Sequence, residues 1–290
     1  MSVKPIDGMR RVTIEAGRAE TDPARHARRR RTIEVGLGIA VPIALLGLWQ
    51  AASVNGWIDR IFYPAPTDVV AYMRDRAFSN SPGGHMWGDV GYSVKRVLYG
   101  YLWGAVAGVA AGVVMGMNRW IRSALQPMLN ALYTVPKIAL IGVFLVIFGF
   151  RDKPVIAIVA VTVFFVVWIA SMEAVRTVSE NFLEASRSFG SSRWQSFRHV
   201  VLPAALPQMF VGLNIAAGIA VLSLIGVEFA YPPHNQGIGF RINNARTIGQ
   251  YKEAYVGLLI AALLGVVFSA VVRLVGRLLT PWVTRDDSSR

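Results

Sequence analysis

Long apolar runs separated by short, mostly basic segments dominate the chain. The first run covers residues 33–58, carries no charge from Val35 to Ile58 and contains Pro42. About 20 apolar residues suffice to cross the hydrocarbon core of a bilayer, where neighbouring groups can satisfy the carbonyl that a proline frees. Comparable runs follow at about 97–117, 154–172, 206–227 and 254–272. The pattern therefore predicts membrane-spanning helices throughout the chain.

A further apolar segment, 123–150, is too long for one straight span. At 1.5 Å per residue it would measure roughly 40 Å, whereas the hydrocarbon core is roughly 30 Å thick. Pro136 interrupts it, so we expect a break there, with the earlier part near the cytoplasmic interface. Lys137 follows the proline. An intramembrane cation either faces a polar cavity or reaches an interface, so Lys137 is a candidate pore-lining residue on the first interpretation.

The run at 97–117 has a glycine at every fourth position. These glycines are Gly100, Gly104, Gly108, Gly112 and Gly116. Residues spaced by four lie along one ridge of a helix, and a ridge without side chains lets a second backbone approach closely. We expect a helix-packing surface, and the ridge fits both tight packing and the sliding of one helix against another.

The composition excludes several classes of protein. The chain has 290 residues, 54% of them hydrophobic, and no cysteine, which excludes disulfides and cysteine-ligated metals. The four histidines are far apart in sequence, so no metal or cofactor is expected. No glycine is followed directly by lysine, so the phosphate-binding G-x-x-x-x-G-K-[ST] loop is absent. H-E-x-x-H and G-x-S-x-G are also absent, and we expect no enzyme activity.

The basic residues set the expected orientation. The formal charge is +13, but the arginines gather at the ends of apolar runs, which indicates a lipid bilayer rather than nucleic acid as the partner. With six spans, nineteen of the thirty Lys and Arg lie on the side of both termini, which places the termini in the cytoplasm. The predicted layout is a disordered cytoplasmic tail 1–32, a first span 33–58, an external segment 59–96, a core 97–280 and a cytoplasmic tail 281–290.

The interval 181–207, NFLEASRSFGSSRWQSFRHVVLPAALP, is polar and divides at Gly190. One apolar face precedes the glycine and another follows it: Phe182, Leu183, Ser186 and Phe189, then Trp194, Phe197 and Val201. The spacing predicts a helix, a glycine bend and a second helix capped by Ser191 or Ser192. Pro203 is expected to end the second helix. Such a helix pair suits a membrane-surface segment that contacts a soluble partner.

The interval contains three spaced elements: Glu184-Ala185-Ser186, then Gly190, then Val200-Val201-Leu202-Pro203. Their spacing resembles the EAA signature of ABC importer permeases, EAA-x3-G-x9-I-x-LP. Ser186 replaces the second alanine and Val200 the isoleucine, and both changes are conservative. The resemblance covers roughly residues 60–280 and is closest to type I permeases of the nitrate, aliphatic sulfonate and taurine branch. An ordinary amphipathic surface helix is the alternative, and the fixed spacing favours the signature.

The resemblance implies an all-α membrane fold of six transmembrane helices, a five-helix type I importer core preceded by one N-terminal helix. It also implies a homodimer of permeases in the bacterial inner membrane, two ABC ATPase subunits docked on cytoplasmic coupling helices at 181–207, and a periplasmic solute-binding protein. ATP binding would move the coupling helices and switch the permease from inward- to outward-facing. Gly190 would set the bend, Leu202 and Pro203 the exit angle, and Glu184 a polar contact or cap.

The resemblance assigns ATPase coupling to Glu184, Ala185, Ser186, Gly190, Trp194, Phe197, Val200, Leu202 and Pro203, with Trp194 and Phe197 anchoring the second helix. Asn214 is either an interhelical hydrogen-bonding group or a candidate pore-lining residue. Gly237-Ile238-Gly239 resembles a GLG-like element of the family that docks the binding protein or gates the outer pore. The alternative is a structured surface loop in the turn-rich external segment 228–252.

Two other functions remain open from the sequence. A secondary transporter would need charged residues or broken helices in matched positions of two repeats, and only one broken segment is apparent. A vitamin-type energy-coupling component would carry Ala-Arg-Gly motifs, which the chain lacks. Lys137 favours an anionic solute, and the resemblance implies one of the sulfonate, nitrate or taurine kind. The sequence does not identify the solute.

Overall fold

The computed structural model describes residues 23–77 and 86–282, and every regular element within these ranges is helical. The helices are α1 (Pro23–Val54), α2 (Pro66–Tyr72), α3 (Met86–Met117), α4 (Arg119–Tyr133), α5 (Ile141–Phe148), α6 (Asp152–Arg176), α7 (Glu180–Ser188), α8 (Arg193–Ser196), α9 (Leu202–Ala230), α10 (Ile238–Thr247) and α11 (Tyr251–Leu279). Short π turns lie at Met73–Ala77 and Phe197–Val201, and 3-10 turns at Lys137–Leu140 and Pro233–Asn235.

Within the described ranges, five helices are long and apolar enough to cross a membrane, and a bent pair makes a sixth span if its halves are counted together. The predicted all-α membrane fold is therefore confirmed. The chain divides into two units, residues 1–66 and 67–290.

The first unit contains α1. Most of its large apolar side chains, Leu37 and Ile43 among them, are more than half exposed, as expected of a helix surrounded by lipid. α1 begins at Pro23, so the last part of the tail predicted to be disordered is helical instead. Arginine is a good helix former, and proline is favoured at the first helical position. Residues 1–22 and most of the predicted tail 281–290 lie outside the described ranges.

The second unit is built on α3 and α6, which meet along the glycine ridge of α3. A Cβ atom on Gly100 would lie 2.7 Å from the Cβ of Val159, and one on Gly112 would lie 2.6 Å from the Cβ of Ser171. The remaining ridge glycines face α6 in the same way. Because real Cβ atoms do not approach this closely, the two backbones can lie at this separation only where the ridge has no side chains.

Gly104→Ala is expected to lower the free energy of unfolding by about 1–3 kcal/mol. The added methyl group would overlap the Ala160 carbonyl oxygen and lie 2.8 Å from the Cβ of Val163, so α3 and α6 must separate. Gly91→Ala is the matched control on the same helix, because nothing lies within 4 Å of its Cβ position. Thermal unfolding of the detergent-solubilised protein measures both, and equal melting temperatures for the two variants would contradict the proposed packing.

The third apolar segment is broken where Pro136 predicted it. α4 and the helical stretch Lys137–Phe148 meet at 90°. Lys137 lies at the break, where its ammonium group donates a hydrogen bond to the carbonyl oxygen of Tyr133. The same ammonium lies 4.5 Å from the centroid of the Tyr133 ring and 5.2 Å from that of Phe165. Lys137 therefore satisfies the end of α4 and makes two cation–π contacts.

Pro203 does not end a helix, contrary to the prediction. α8 continues through the π turn Phe197–Val201 into α9, and Arg193–Ala230 forms one helical stretch of 38 residues. Pro203 lies in the first turn of α9, directly after the π turn. A π turn shifts the backbone hydrogen bonds by one residue, and the first turn of a helix does not need the missing N–H.

The prediction of a turn-rich external segment at 228–252 is also wrong in part. Glu228 belongs to the last turn of α9 and is fully buried, and α10 occupies much of the remainder. Ile238 and Ile242, one helical turn apart, pack with Val256 of α11 in a buried cluster. This apolar face gives α10 a packing surface, which overrides the turn propensity of the surrounding glycines and asparagines.

Candidate functional site

The loop between α6 and α9 contains a sharp bend at Gly190. Its φ is +75°, in the region that glycine adopts readily. The N–H of Gly190 donates to the carbonyl oxygen of Arg187 at 2.9 Å, and that of Ser191 donates to Ser186 at 3.2 Å. These two bonds form a Schellman motif, which satisfies the free carbonyls at the end of α7.

The second half of the loop begins with a capping box. Ser192, one of the two predicted cap residues, accepts a hydrogen bond from the backbone N–H of Gln195, and the Gln195 side chain accepts one from Ser192 at 2.8 Å. The hydroxyl of buried Ser186 lies 2.8 Å from that of Ser196 and links α7 to α8. An alanine at position 186, as in the family signature, could not make this bond.

Three aromatic side chains of the loop remain exposed: Phe182 by 60%, Phe189 by 89% and Trp194 by 65%. Exposed apolar side chains that cluster in one segment mark a contact with another protein or with the membrane. The remaining residues assigned to coupling divide in two. Glu184 and Ala185 are exposed, whereas Phe197, Val200, Leu202 and Pro203 are half-buried.

A buried ionic cluster lies at the other end of α9, and we call it the polar network. Its members are Asp89, Ser93 and Arg96 of α3, Asp152 of α6, Glu228 of α9, Arg241 of α10 and Glu253 of α11. Arg96, 1% exposed, donates to Glu228, 0% exposed, at 2.7 Å. Arg96 also donates to Asp152 at 2.8 Å and to the carbonyl of Gln236 at 2.8 Å. The buried guanidinium is therefore matched by two carboxylates.

The polar network holds the start of α10 by three consecutive backbone N–H groups. Gly237 donates to Asp89 at 2.9 Å, Ile238 to Ser93 at 2.9 Å and Gly239 to Glu228 at 3.1 Å. These donors would otherwise be unsatisfied, and acidic acceptors are favoured at a helix N-terminus. The Gly-Ile-Gly element is thus a buried helix start fixed to α3 and α9, not a surface loop.

Arg241 extends the polar network to α11. Its guanidinium lies 2.8 Å from Asp89 and 3.1 Å from Glu253, and Glu253 also accepts a hydrogen bond from Tyr72 at 3.0 Å. Next to the network, burial raises the pKa of the Tyr231 hydroxyl, and the Asp152 carboxylate raises it further. The polar network therefore joins five helices, α3, α6, α9, α10 and α11.

Gly237→Ala is expected to destabilise the protein by about 3 kcal/mol. Its Cβ would lie 2.5 Å from the Glu228 carboxylate, and φ at this position is +120°. Gly149→Ala is the matched control: φ is +75° there and nothing lies within 4 Å, so it measures the backbone cost alone. Chemical denaturation in detergent gives both values, and a Gly237→Ala cost no larger than that of Gly149→Ala would show that the carboxylate contact is unimportant.

The sequence carried one usable signal for the polar network. Glu228 is the sole acidic residue in the stretch 202–230, and an acid at the end of an apolar run indicates a buried partner. Arg96 gave no such signal, because basic residues flank most of the apolar runs.

The two candidate pore-lining residues lie in different surroundings. Lys137 caps α4 at the break, as described above. Asn214 borders a cavity of about 360 Å³ that Arg273 and Arg277 of α11 also line. Its buried side-chain oxygen has no hydrogen-bond partner among the described residues.

Apolar helices of spanning length and a bent loop with exposed aromatic side chains are features of an integral membrane protein. Residues 104–285 match the family described as "Binding-protein-dependent transport system inner membrane component", and the chain belongs to that family. This confirms the predicted resemblance.

Three relatives illustrate the similarity. The chain is 30% identical to the putative aliphatic sulfonates transport permease protein SsuC of Bacillus subtilis, over 84% of this chain and 87% of the relative. It is 26% identical to the taurine transport system permease protein TauC of Escherichia coli, over 86% and 90%. It is 28% identical to the nitrate import permease protein NrtB of Synechococcus elongatus, over 84% and 88%.

Solved structures support the fold. A chain from the MetNI methionine ABC transporter in an inward-facing conformation has a TM-score of 0.60 at 20% identity, covering 71% of this chain and 100% of that one. A chain from a bacterial ABC transporter that imports alginate has a TM-score of 0.57 at 16% identity, covering 90% and 98%.

Proposed function

We propose that this chain is the permease subunit of an ATP-driven importer and that two copies form the path for a small anionic solute. A periplasmic binding protein delivers the solute, and two ATPase subunits drive the transport. Both termini and the 181–207 loop face the cytoplasm. The observation that carries the proposal is the 181–207 loop, which has the geometry of a docking segment and continues directly into a spanning helix.

The loop supplies the contact with the ATPase. Phe182, Phe189 and Trp194 are exposed apolar groups that a protein cleft would bury, and Glu184 adds a charged group on the same helix as Phe182. The Schellman bend, the capping box and the Ser186–Ser196 bond fix the angle between α7 and α8. A rigid bend transmits a push, whereas a flexible loop would absorb it.

α9 supplies the transmission. The helical stretch Arg193–Ala230 is roughly 55 Å long at 1.5 Å per residue. It starts in the 181–207 loop, and its last turn contains Glu228, which accepts hydrogen bonds from Arg96 and from the N–H of Gly239 at the start of α10. A movement of the loop is therefore carried to α10, which we propose acts as the outer gate.

An exposed apolar face of α9 supports the proposal that two copies of the chain pair in the membrane. Val211, Ile215 and Leu222 are exposed by 51%, 53% and 74% and recur at spacings of four and seven residues. This spacing forms one stripe along the helix. In a homodimer such stripes would face each other across the path.

The solute class rests on two observations. The relatives are named for sulfonates, taurine and nitrate, which all carry an anionic group. The cavity beside the α9 stripe contains Arg273, Arg277 and the amide of Asn214, which together suit an oxyanion.

The test is uptake into proteoliposomes that contain the permease, its ATPase and its binding protein. We expect ATP-dependent accumulation of a sulfonate, taurine or nitrate, and no uptake without the binding protein. Accumulation of a neutral or cationic solute alone would overturn the solute class. Uptake driven by an ion gradient with no ATPase present would overturn the function.

A further inference from the structure

A basic cavity, separate from the one beside Asn214, lies behind the 181–207 loop. It has a volume of about 540 Å³ and is lined by four arginines, Arg122, Arg176, Arg187 and Arg193, against one carboxylate, that of Glu180. The lining comes from the ends of α3 and α6 and from α4, α7 and α8, so one concave surface joins the loop to the spanning helices.

The positive charge of this cavity is poorly compensated. Arg176 pairs with Glu173 at 3.1 Å, and Arg122 donates to the carbonyl oxygens of Met115 and Gly116 at 3.4 Å. Within residues 23–77 and 86–282, neither Arg187 nor Arg193 has a carboxylate within ion-pair distance. A concave surface of one sign concentrates its potential and attracts counter-ions.

The position of the cavity separates it from the surface that we assign to the ATPase. None of the three exposed aromatic side chains of the loop lines it. Its apolar wall consists of groups such as Leu183, Phe197 and Val201, which are buried or half-buried against the ends of the spanning helices. The cavity therefore lies at the level where a span leaves the membrane.

We propose that this cavity binds a phosphate-type oxyanion, the chemistry shared by an anionic lipid headgroup and free phosphate. Guanidinium groups bind such oxyanions through paired charge-assisted hydrogen bonds. Bound between Arg122, Arg187 and Arg193, the oxyanion would connect the loop to α4 and stiffen the coupling. The proposal is independent of which solute is transported.

Native mass spectrometry of the purified transporter tests the site with dioctanoyl phosphatidylglycerol and inorganic phosphate as probes. Arg187→Gln and Arg193→Gln are each expected to weaken binding about tenfold, since each removes charge-assisted hydrogen bonds. Arg198→Gln is the matched control, because Arg198 is an exposed arginine of the same loop that does not line the cavity.

The outcomes distinguish the two sources. Binding of phosphatidylglycerol that phosphate does not displace assigns the site to lipid, and displacement by phosphate at equal ionic strength assigns it to a soluble oxyanion. Failure of both probes to bind overturns the proposal, and so does equal weakening by all three substitutions, which would indicate general surface charge.

Discussion

Arg96→Ala is expected to destabilise the protein by about 3–5 kcal/mol and to abolish transport. Removing the guanidinium leaves the fully buried Glu228 carboxylate without its 2.7 Å partner and frees Asp152. Breaking one side of a buried ion pair costs this much because the remaining charge stays desolvated. Thermal unfolding in detergent and ATP-driven uptake measure the two effects.

Three variants separate the charge from the geometry. Arg96→Lys keeps the charge but loses the fork that reaches Glu228 and Asp152 together, so we expect an intermediate loss. Arg74→Ala is the control, because the Arg74–Asp75 pair is exposed and its loss should change nothing measurable. Glu228→Gln with wild-type stability and full transport would show that the polar network is dispensable.

Gly190→Val is expected to uncouple ATP hydrolysis from transport while the protein still inserts into the membrane. A β-branched residue at φ +75° is strained by about 1–3 kcal/mol, which the chain relieves by opening the bend. Uptake should fall about tenfold or more, while ATP hydrolysis by the assembled transporter continues.

The control for this variant is Gly190→Asn. Asparagine tolerates the left-handed region, and nothing lies within 4 Å of the Cβ position, so the bend and the uptake should largely survive. Equal uptake by the valine and asparagine variants would show that the backbone angle at Gly190 does not matter. Glu184→Lys tests the same surface by charge and should also reduce coupled uptake.

The spans and the bend were accessible from sequence because both depend on local patterns. An apolar run of about 20 residues predicts a span, and a glycine at every fourth position predicts a packing ridge, from the sequence of one helix alone. Gly190 predicted a bend for the same reason. The cap was predicted as Ser191 or Ser192, and Ser192 is the residue that caps the helix; its capping box with Gln195 was not predicted.

The polar network was not accessible, because its partners are distant in sequence. Arg96 and Glu228 are 132 positions apart, and Gly237 and Asp89 are 148 apart. Glu228 alone carried a signal, and it did not indicate which residue is its partner; the other members look like ordinary charges beside apolar runs. The prediction that Pro203 ends a helix was wrong for a different reason. That rule assumes α-helical hydrogen bonds on both sides of the proline, and here a π turn precedes it.

Site-specific cross-linking tests the central claim, that the 181–207 loop receives the ATPase, most directly. The chain contains no cysteine, so a single cysteine at Phe189 or at Phe150 is unambiguous. Both side chains are exposed, by 89% and 76%, and α6 separates them. The account predicts that Phe189→Cys cross-links to the ATPase subunit and Phe150→Cys does not. Labelling of Phe189→Cys from outside the cell, or cross-linking at Phe150→Cys instead, would contradict it.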